Sequence, residues 1–310
     1  MEILRKLIYL SIAALVLGCS EPDIEESFLD GEVIYDLSTY QPEIYLISKN
    51  KPNPSPTGLA KPVIIAAHGY SASTFEWQEF QDWAGSDSSI LISQVLLGGH
   101  GLDYEAFKIA TWKDWYKPIK NEYEALLEKG YTNISFAGSS TGGTLLCKLI
   151  ESKYFDANAV NYFFLIDPIV IPSNKTLSLV GVLGPMLGYV ETGNTPEEDP
   201  YWYHFRPQET LKELNNLTTT LRKDLQNGFN LPVGSSMKVY KAAQDPSADP
   251  VSAVLIKKGL KTSNNKDIEV EMINTDIHVF TRLDLRSDIS AKNIQDQTDC
   301  FNDMRQKVLN

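Results

Sequence analysis

Short apolar runs that alternate with longer amphipathic segments are the feature that most restricts how this chain can fold. Segments with helical spacing separate the runs, and the strongest of them covers Trp112 to Lys129, with Gly130 as a stop. This alternation predicts an α/β fold, a mostly parallel twisted sheet flanked by helices. Four runs have the length of strands covered on both faces: Val63 to Ala67, Ile90 to Leu97, Ile134 to Ala137 and Tyr162 to Ile166.

The alternation lapses between about Pro172 and Pro232, where a glycine-punctuated apolar stretch is followed by an acidic and aromatic one. We interpret this segment as an insertion. Strand-like segments resume at Met237 to Ala242 and Ile268 to Ile273, and a closing helix is predicted near Ala291 to Val308. Residues 61–310 are therefore predicted to form one domain.

The first residues have the pattern of a targeting segment. Two basic residues precede an apolar run, Leu7 to Leu17, that is too short to span a membrane. The next residues, Val16-Leu17-Gly18-Cys19, resemble the lipobox of a bacterial lipoprotein, in which cleavage leaves the cysteine to carry lipid. The resemblance implies a signal peptide over residues 1–18, membrane attachment through Cys19 and a place in the cell envelope. An ordinary secretory peptide and an uncleaved anchor are the alternatives.

Residues 19–60 are predicted to connect this segment to the domain. The first of them are polar and acidic, which favours a solvated tether. Glu32 to Tyr35 and Glu43 to Ile47 have the pattern of two antiparallel strands, and a proline-rich loop, Asn50 to Pro56, follows.

Charge and cysteine content exclude two classes of protein. A formal net charge of −12 leaves no basic surface with which to bind nucleic acid. With Cys19 lipidated, only Cys147 and Cys300 remain, which is too few for a disulfide framework. Cys147 lies among apolar residues and is predicted to be a small buried hydrophobe, although a disulfide with Cys300 is open.

Gly138-Ser139-Ser140-Thr141-Gly142 fits the pattern G-x-S-x-G between a predicted strand and a predicted helix. A sharp strand-to-helix turn needs small flanking residues, and it lifts the hydroxyl of its central residue clear of the sheet. This context predicts Ser140 as the nucleophile. Ser139 is the competing serine, but it lacks glycine two residues before and two residues after it. The alternative is a small-residue loop that merely opens a helix.

A serine hydroxyl needs a base, and the chain has four histidines. His278 follows the late strand, which gives the chain order serine, acid, histidine that this strand–turn–helix motif uses. The acid is expected after Met237 to Ala242, where Asp245 comes first and Asp249 is the alternative. Asp249 precedes a proline and is more typical of a turn.

The developing oxyanion requires hydrogen-bond donors, and His68-Gly69-Tyr70 follows the first strand of the domain. The backbone N–H groups of Tyr70 and Thr141 are predicted to face each other there. His68 is expected to shape its loop rather than to transfer protons. The same role is expected of His100, which lies in Gly98-Gly99-His100-Gly101.

These motifs resemble the α/β-hydrolases grouped around monoacylglycerol lipases and bacterial carboxylesterases. The resemblance spans about Pro62 to Phe280, and its motifs occur in family order. It implies the α/β-hydrolase fold and a triad of Ser140, Asp245 and His278, with Tyr70 and Thr141 as oxyanion donors. The motifs that carry it are His68-Gly69-Tyr70, Gly99-His100-Gly101, the turn at Ser140, the loop from Asp245 to Pro250 and His278-Val279-Phe280.

The resemblance also implies a lid over about residues 168–233 and a small-molecule ester or lipid substrate. Neither a metal nor an organic cofactor is expected, and no metal-binding motif is present in the sequence. Small residues flank Ser140 where relatives often carry larger ones, so the substrate class is open. A surface lipoprotein that binds without turnover and a peptide or amide hydrolase are the alternatives.

Overall fold

A computed structural model describes residues 21–25, 27–31, 56–87, 89–158, 160–173 and 188–310 of the chain. Within these residues the main sheet has six strands, and all neighbouring strands are parallel. The predicted α/β class is confirmed. The strands are β1 Val63–Ala67, β2 Leu91–Val95, β3 Ile134–Ser139, β4 Tyr162–Ile166, β5 Tyr189–Glu191, β6 Phe205–Pro207, β7 Phe229–Asn230, β8 Ser236–Ala242, β9 Leu260–Lys261 and β10 Glu269–Ile273.

Helices cover the sheet, whose central strands are fully buried. They are α1 Pro56–Leu59, α2 Gln78–Asp87, α3 Tyr104–Ile109, α4 Trp112–Trp115, α5 Lys117–Glu128, α6 Thr141–Glu151, α7 Gln208–Asn227, α8 Val251–Gly259 and α9 Ala291–Leu309, and a 3₁₀ turn covers Thr74–Trp77. No helix in this part of the chain is both long and apolar enough to cross a membrane.

The order of strands in the sheet is β10-β8-β4-β3-β1-β2. The chain passes from β1 to the edge strand β2, returns to β3 on the other side of β1, and then continues outward to β10. The direction of winding therefore reverses between β1 and β3. Open α/β sheets bind ligands in the crevice at the carboxyl ends of strands at such a reversal.

The helical segment predicted over Trp112 to Lys129 forms two helices in the structure, α4 and α5, which are divided at Tyr116. Pro118 is the second residue of α5, where its missing N–H costs no hydrogen bond. A proline inside one continuous helix would remove a hydrogen bond of that helix. The other predicted strands of the domain and its closing helix agree with the structure to within two residues at either end.

The insertion between β4 and β8 contains the 20-residue helix α7, which the sequence interpretation missed. Leucines at helical spacing form its buried face, which packs on α6 and α8. Lys148 of α6 forms an ion pair with Asp224 of α7 and fixes the two helices to each other. The buried leucines are Leu211, Leu214, Leu217, Leu221 and Leu225.

Residues 27–31 pack against the insertion. The ring of Phe28 stacks on that of His204 at 4.1 Å between centroids. The buried carboxylate of Asp30 accepts hydrogen bonds from the N–H groups of His204 and Phe205, both at 2.9 Å. These bonds hold the start of β6 in place.

Cys147 and Cys300 are both buried and unpaired, so they form no disulfide, and the prediction that Cys147 is a buried small hydrophobe is confirmed. Burial raises the pKa of Cys147 to about 12. Other predictions lie outside the described residues: the signal peptide and Cys19, the two strands between residues 32 and 47, and the apolar part of the insertion from 177 to 187.

Candidate active site

Ser140 occupies the sharp turn between β3 and α6. Its backbone has φ +47° and ψ −114°, a conformation that residues with a side chain rarely adopt. The N–H of Ser140 donates to the carbonyl of Ile166 at 2.8 Å, which ties the turn to the end of β4. The residue is 8% exposed and lines a cavity, so its hydroxyl is accessible from one side only.

The glycines around Ser140 allow α6 to approach the sheet closely. A Cβ on Gly142 would lie 2.3 Å from the carbonyl oxygen of Ala67, the last residue of β1. A Cβ on Gly138 would lie 2.6 Å from the nitrogen of Gly143. Any side chain at either position would therefore push α6 off the sheet and move Ser140.

Asp245 and His278 are brought together by the loops that follow β8 and β10. Oδ2 of Asp245 accepts a hydrogen bond from Nδ1 of His278 at 2.8 Å. Because an ionised carboxylate cannot donate, Nδ1 carries the proton and Nε2 is left as the basic nitrogen. The other candidate acid, Asp249, instead accepts a hydrogen bond from the N–H of Val251 at 2.8 Å. It therefore lies just before α8 and stabilises the start of this helix.

Lys241, which the sequence interpretation missed, lies fully buried behind this pair. Its ammonium donates to Oδ1 of Asp167 at 3.0 Å and also to Oδ2 of Asp245. Asp167, Asp245 and His278 together have the composition of a metal site, but the ammonium already supplies a cation between the two carboxylates. The residues therefore fit a structural ion-pair network better than a metal centre.

Asp245 is held in its ionised form by its surroundings. Burial acts to raise its pKa, but the hydrogen bond and charge of His278 and the charge of Lys241 outweigh burial and hold the pKa well below its usual value. The N–H groups of Ser247 and Ala248 donate to Oδ1 at 2.7 and 3.0 Å and act in the same direction. The carboxylate remains charged at neutral pH and can orient the imidazole.

Gly69, Tyr70 and Thr141 line the cavity beside Ser140. A Cβ on Gly69 would lie 3.2 Å from Cβ of Ser140, which shows how closely the loop after β1 passes the turn. Thr141 is the first residue of α6, so its N–H belongs to the positive end of the helix that begins directly after Ser140. The phenol of Tyr70 is hydrogen bonded to Thr210 of α7 at 2.6 Å, which fastens this loop to the insertion.

Glu76 is a second buried charged residue that the sequence interpretation missed, and it lines the cavity. Its Oε1 accepts from the N–H of Gly69 at 2.7 Å and from the hydroxyl of Ser139. Glu76 therefore joins the loop after β1 to the residue before Ser140. Ser139 itself is fully buried and does not line the cavity.

The remaining histidines have structural contacts. Nε2 of His68 accepts from the N–H of Leu97 at 3.0 Å, and Nε2 of His100 accepts from the N–H of Ser71 at 3.2 Å. Burial lowers the pKa of His68 to about 4, so it stays neutral near pH 7. The loop-forming roles predicted for both are confirmed. His204 forms ion pairs with Asp199 and Glu191 within the insertion.

The cavity above Ser140 and His278 has a volume of about 940 Å³. The insertion supplies one wall, which combines apolar side chains with charged ones. Apolar contacts come from Ile169, Tyr189, Val190, Trp202, Leu211 and Leu214. A cavity of this size can hold a small organic molecule with its reactive group against Ser140.

Comparisons with known proteins agree with this architecture. No model of a known protein family matches the chain. A carboxylesterase of Bacillus subtilis (strain 168) is 26% identical over 200 residues, which cover 63% of this chain and 76% of the relative. A soluble variant of monoglyceride lipase from Saccharomyces cerevisiae superposes with a TM-score of 0.63 at 13% identity, covering 82% of this chain and 89% of that one.

A structure from the metagenome-derived lipolytic enzymes LipS and LipT superposes with a TM-score of 0.62 at 14% identity, covering 79% of this chain and 94% of that one. Identities this low establish the fold alone. The chain has the α/β-hydrolase fold, with Ser140 at the turn after β3 and the Asp245–His278 pair on the loops after β8 and β10.

Replacing Gly142 with alanine tests the close approach at the turn. We expect Gly142→Ala to lower the free energy of unfolding by about 1–3 kcal/mol, because the new methyl overlaps the Ala67 carbonyl. Gly85→Ala is the control, since a Cβ there meets nothing within 4 Å. Urea unfolding of both variants is the measurement, and equal stability of the two would contradict the packing described.

Replacing Lys241 with methionine tests the ion-pair network. We expect Lys241→Met to lower the free energy of unfolding by about 3–5 kcal/mol at pH 7, because two buried carboxylates lose their counter-charge. Urea denaturation measures this loss. The exposed pair Lys261–Asp267 supplies the control, and Lys261→Met should lower the free energy of unfolding far less, because solvent screens this pair.

The network also predicts a pH dependence. Because the folded pKa of Asp245 is depressed, its contribution to stability is present above the unfolded value of 3.8 and is lost as the pH falls below it.

Asp167→Asn added to Lys241→Met should recover part of the lost stability by removing one of the facing charges. A Lys241→Met variant as stable as the wild type would rule out this network.

Proposed function

We propose that this chain is a serine hydrolase that cleaves carboxylic esters through an acyl-enzyme on Ser140. The proposal rests on the hydrogen bond of 2.8 Å between Asp245 and Nδ1 of His278, because His278 lines the same cavity as Ser140. In the neutral imidazole this bond places the proton on Nδ1, so that Nε2 can accept a proton as a general base.

In the first half of the proposed reaction, Oγ of Ser140 attacks the ester carbonyl carbon and its proton passes to Nε2 of His278. The charge that develops on the carbonyl oxygen is stabilised by the N–H groups of Tyr70 and Thr141, assisted by the positive end of α6. Asp245 stabilises the imidazolium. Collapse breaks the ester C–O bond, and the departing alcohol takes the proton from His278.

In the second half, water attacks the acyl-serine and gives its proton to Nε2 of His278. The tetrahedral intermediate again places its negative oxygen against the N–H groups of Tyr70 and Thr141. Collapse returns the proton to Oγ of Ser140 and releases the carboxylic acid. The cycle consumes one water and needs no metal or organic cofactor.

Ester hydrolysis as the reaction is supported by the similarity to a carboxylesterase and by the fold shared with lipolytic enzymes and a monoglyceride lipase. The mixed apolar and polar cavity suits a small ester or a lipid with one acyl chain. The residues of the insertion that line this cavity, among them Leu211 and Leu214, form the described part of the proposed lid.

The sequence before the domain supports a second part of the proposal, that the enzyme is a lipoprotein of the cell envelope. The lipobox-like Val16-Leu17-Gly18-Cys19 would leave Cys19 to carry the lipid that attaches the protein to a membrane. Residues 27–31 pack on the insertion, so the chain leading from this cysteine would reach the domain beside its lid.

Kinetics on a simple ester test the proposed nucleophile. We expect Ser140→Ala to lower kcat for 4-nitrophenyl butyrate by at least about 10⁴-fold, as loss of a triad member does in other serine hydrolases. Combining it with His278→Ala should cause little further loss, because the two groups act as one unit. Ser152→Ala, at the far end of α6, is the matched serine control and should keep the wild-type rate.

The same assay separates the alternatives. Faster hydrolysis of butyryl 4-nitroanilide than of the ester would identify an amide hydrolase. A folded wild type that turns over neither compound would identify a binding protein on the hydrolase scaffold. Retention of esterase activity in Ser140→Ala would exclude the mechanism.

A further inference from the structure

Three arginines line the cavity that Ser140 and His278 share, although the chain as a whole is strongly acidic. They differ in what they already bind. Arg282 forms an ion pair with Glu198 at 3.0 Å and stacks on Trp202. Arg286 donates to the backbone carbonyls of Arg282 and His278 at 2.8 and 2.6 Å. Both are occupied in holding the loop after β10.

The guanidinium of Arg206 has fewer partners than those of Arg282 and Arg286. Its Nε donates to the hydroxyl of Ser71 at 3.1 Å, and its guanidinium lies 5.7 Å from the ring centroid of Tyr70. Within the described ranges, no carboxylate forms an ion pair with Arg206, and its two terminal amino groups donate no hydrogen bond. The planar edge that binds carboxylates in pairs is therefore available to the cavity.

This arrangement is costly for a protein without a ligand. Arg206 is half-buried among aromatic groups, and burial lowers its pKa, yet a guanidinium keeps its charge in proteins. Buried charges are normally paired, because a charge removed from water without a partner destabilises the fold. An anionic group of a bound molecule would supply the missing counter-charge.

In the part of the chain that the structure describes, the acidic residues near Arg206 do not fill this role. Asp30 is committed to the N–H groups of His204 and Phe205, which fix the strand that carries Arg206. Glu209, three residues further along the chain, lines a different cavity. Residues 174–187 of the insertion contain no aspartate or glutamate in their sequence.

The position of Arg206 relates it to the reaction. It contacts Tyr70 and Ser71, the residues that follow Gly69 in the loop beside Ser140. An ester bound at Ser140 would thus extend past this loop towards the guanidinium. We propose that Arg206 binds a carboxylate of the substrate, so that the preferred substrates are esters that also carry a carboxylate group. This inference rests on the proposed esterase function and deepens it.

Two matched pairs of esters test the proposal. Mono-4-nitrophenyl glutarate and 4-nitrophenyl pentanoate differ in whether the acyl chain ends in a carboxylate or a methyl group. Butyryl glycolate and ethyl butyrate make the same comparison on the alcohol side. We expect the wild type to prefer the anionic member of one pair by at least about 10-fold in kcat/KM, because a buried cation discriminates strongly against a partner that lacks the charge.

Arg206→Gln should reduce this preference ratio by at least about 10-fold, and Arg206→Lys should retain part of it. Arg222→Gln is the matched control, since this arginine of α7 contacts Thr219 and does not line the cavity. Circular dichroism and thermal melting verify that each variant is folded. No preference for either anionic ester, or a ratio unchanged in Arg206→Gln, would overturn the proposal.

A binding experiment distinguishes failure of the proposed esterase function from failure of the proposed role of Arg206. If the folded wild type hydrolyses none of the four esters, binding still reports on Arg206. Glutarate or glycolate should then raise the melting temperature of Ser140→Ala, and the double variant Ser140→Ala with Arg206→Gln should lose this shift. Absence of any shift by either anion would overturn the assignment of Arg206 as an anion-binding residue.

Discussion

The close approach of α6 to the carboxyl end of β1 is the constraint on which the rest of the structure depends. The helix can lie there only because Gly142 has no side chain to meet the carbonyl of Ala67. That approach requires a sharp turn at Ser140, whose φ is +47°, and α6 begins directly after this residue. The strain is retained because the sheet, the helix and the Ile166 carbonyl all fix the turn.

Electrostatics then organise the other side of the site. Lys241 extends from β8 between two buried carboxylates, so Asp245 is charged, immobile and already bonded to His278. Glu76 performs a comparable task for the loop that carries Tyr70, which it joins to Ser139. Charged groups that have no role in the proposed reaction thus set the positions of those that do. The insertion completes the cavity and brings the guanidinium of Arg206, which forms no ion pair with any carboxylate of the described residues.

Much of the fold and of the candidate site could be predicted from the sequence, because the patterns that mark them lie within short segments of the chain. Strands buried on both faces appear as short apolar runs, and the glycines around Ser140 mark a turn. The pairing of Asp245 with His278 follows from chain order once the sheet is assumed. Lys241, Glu76 and Arg206 could not be found this way, because their partners lie on distant loops and an isolated charged residue is usually solvated. Helix α7 was missed although its leucines recur at helical spacing, since the acidic and aromatic stretch before it masked its start.

The central claim is that Ser140 is the nucleophile, and covalent labelling tests it most directly. The folded wild type would be treated with a fluorophosphonate and the modified peptide sequenced by mass spectrometry. We expect one adduct, on Oγ of Ser140, and no adduct in His278→Ala, because the hydroxyl is not activated without its base. An adduct on Ser139, or none on the folded wild type, would contradict it.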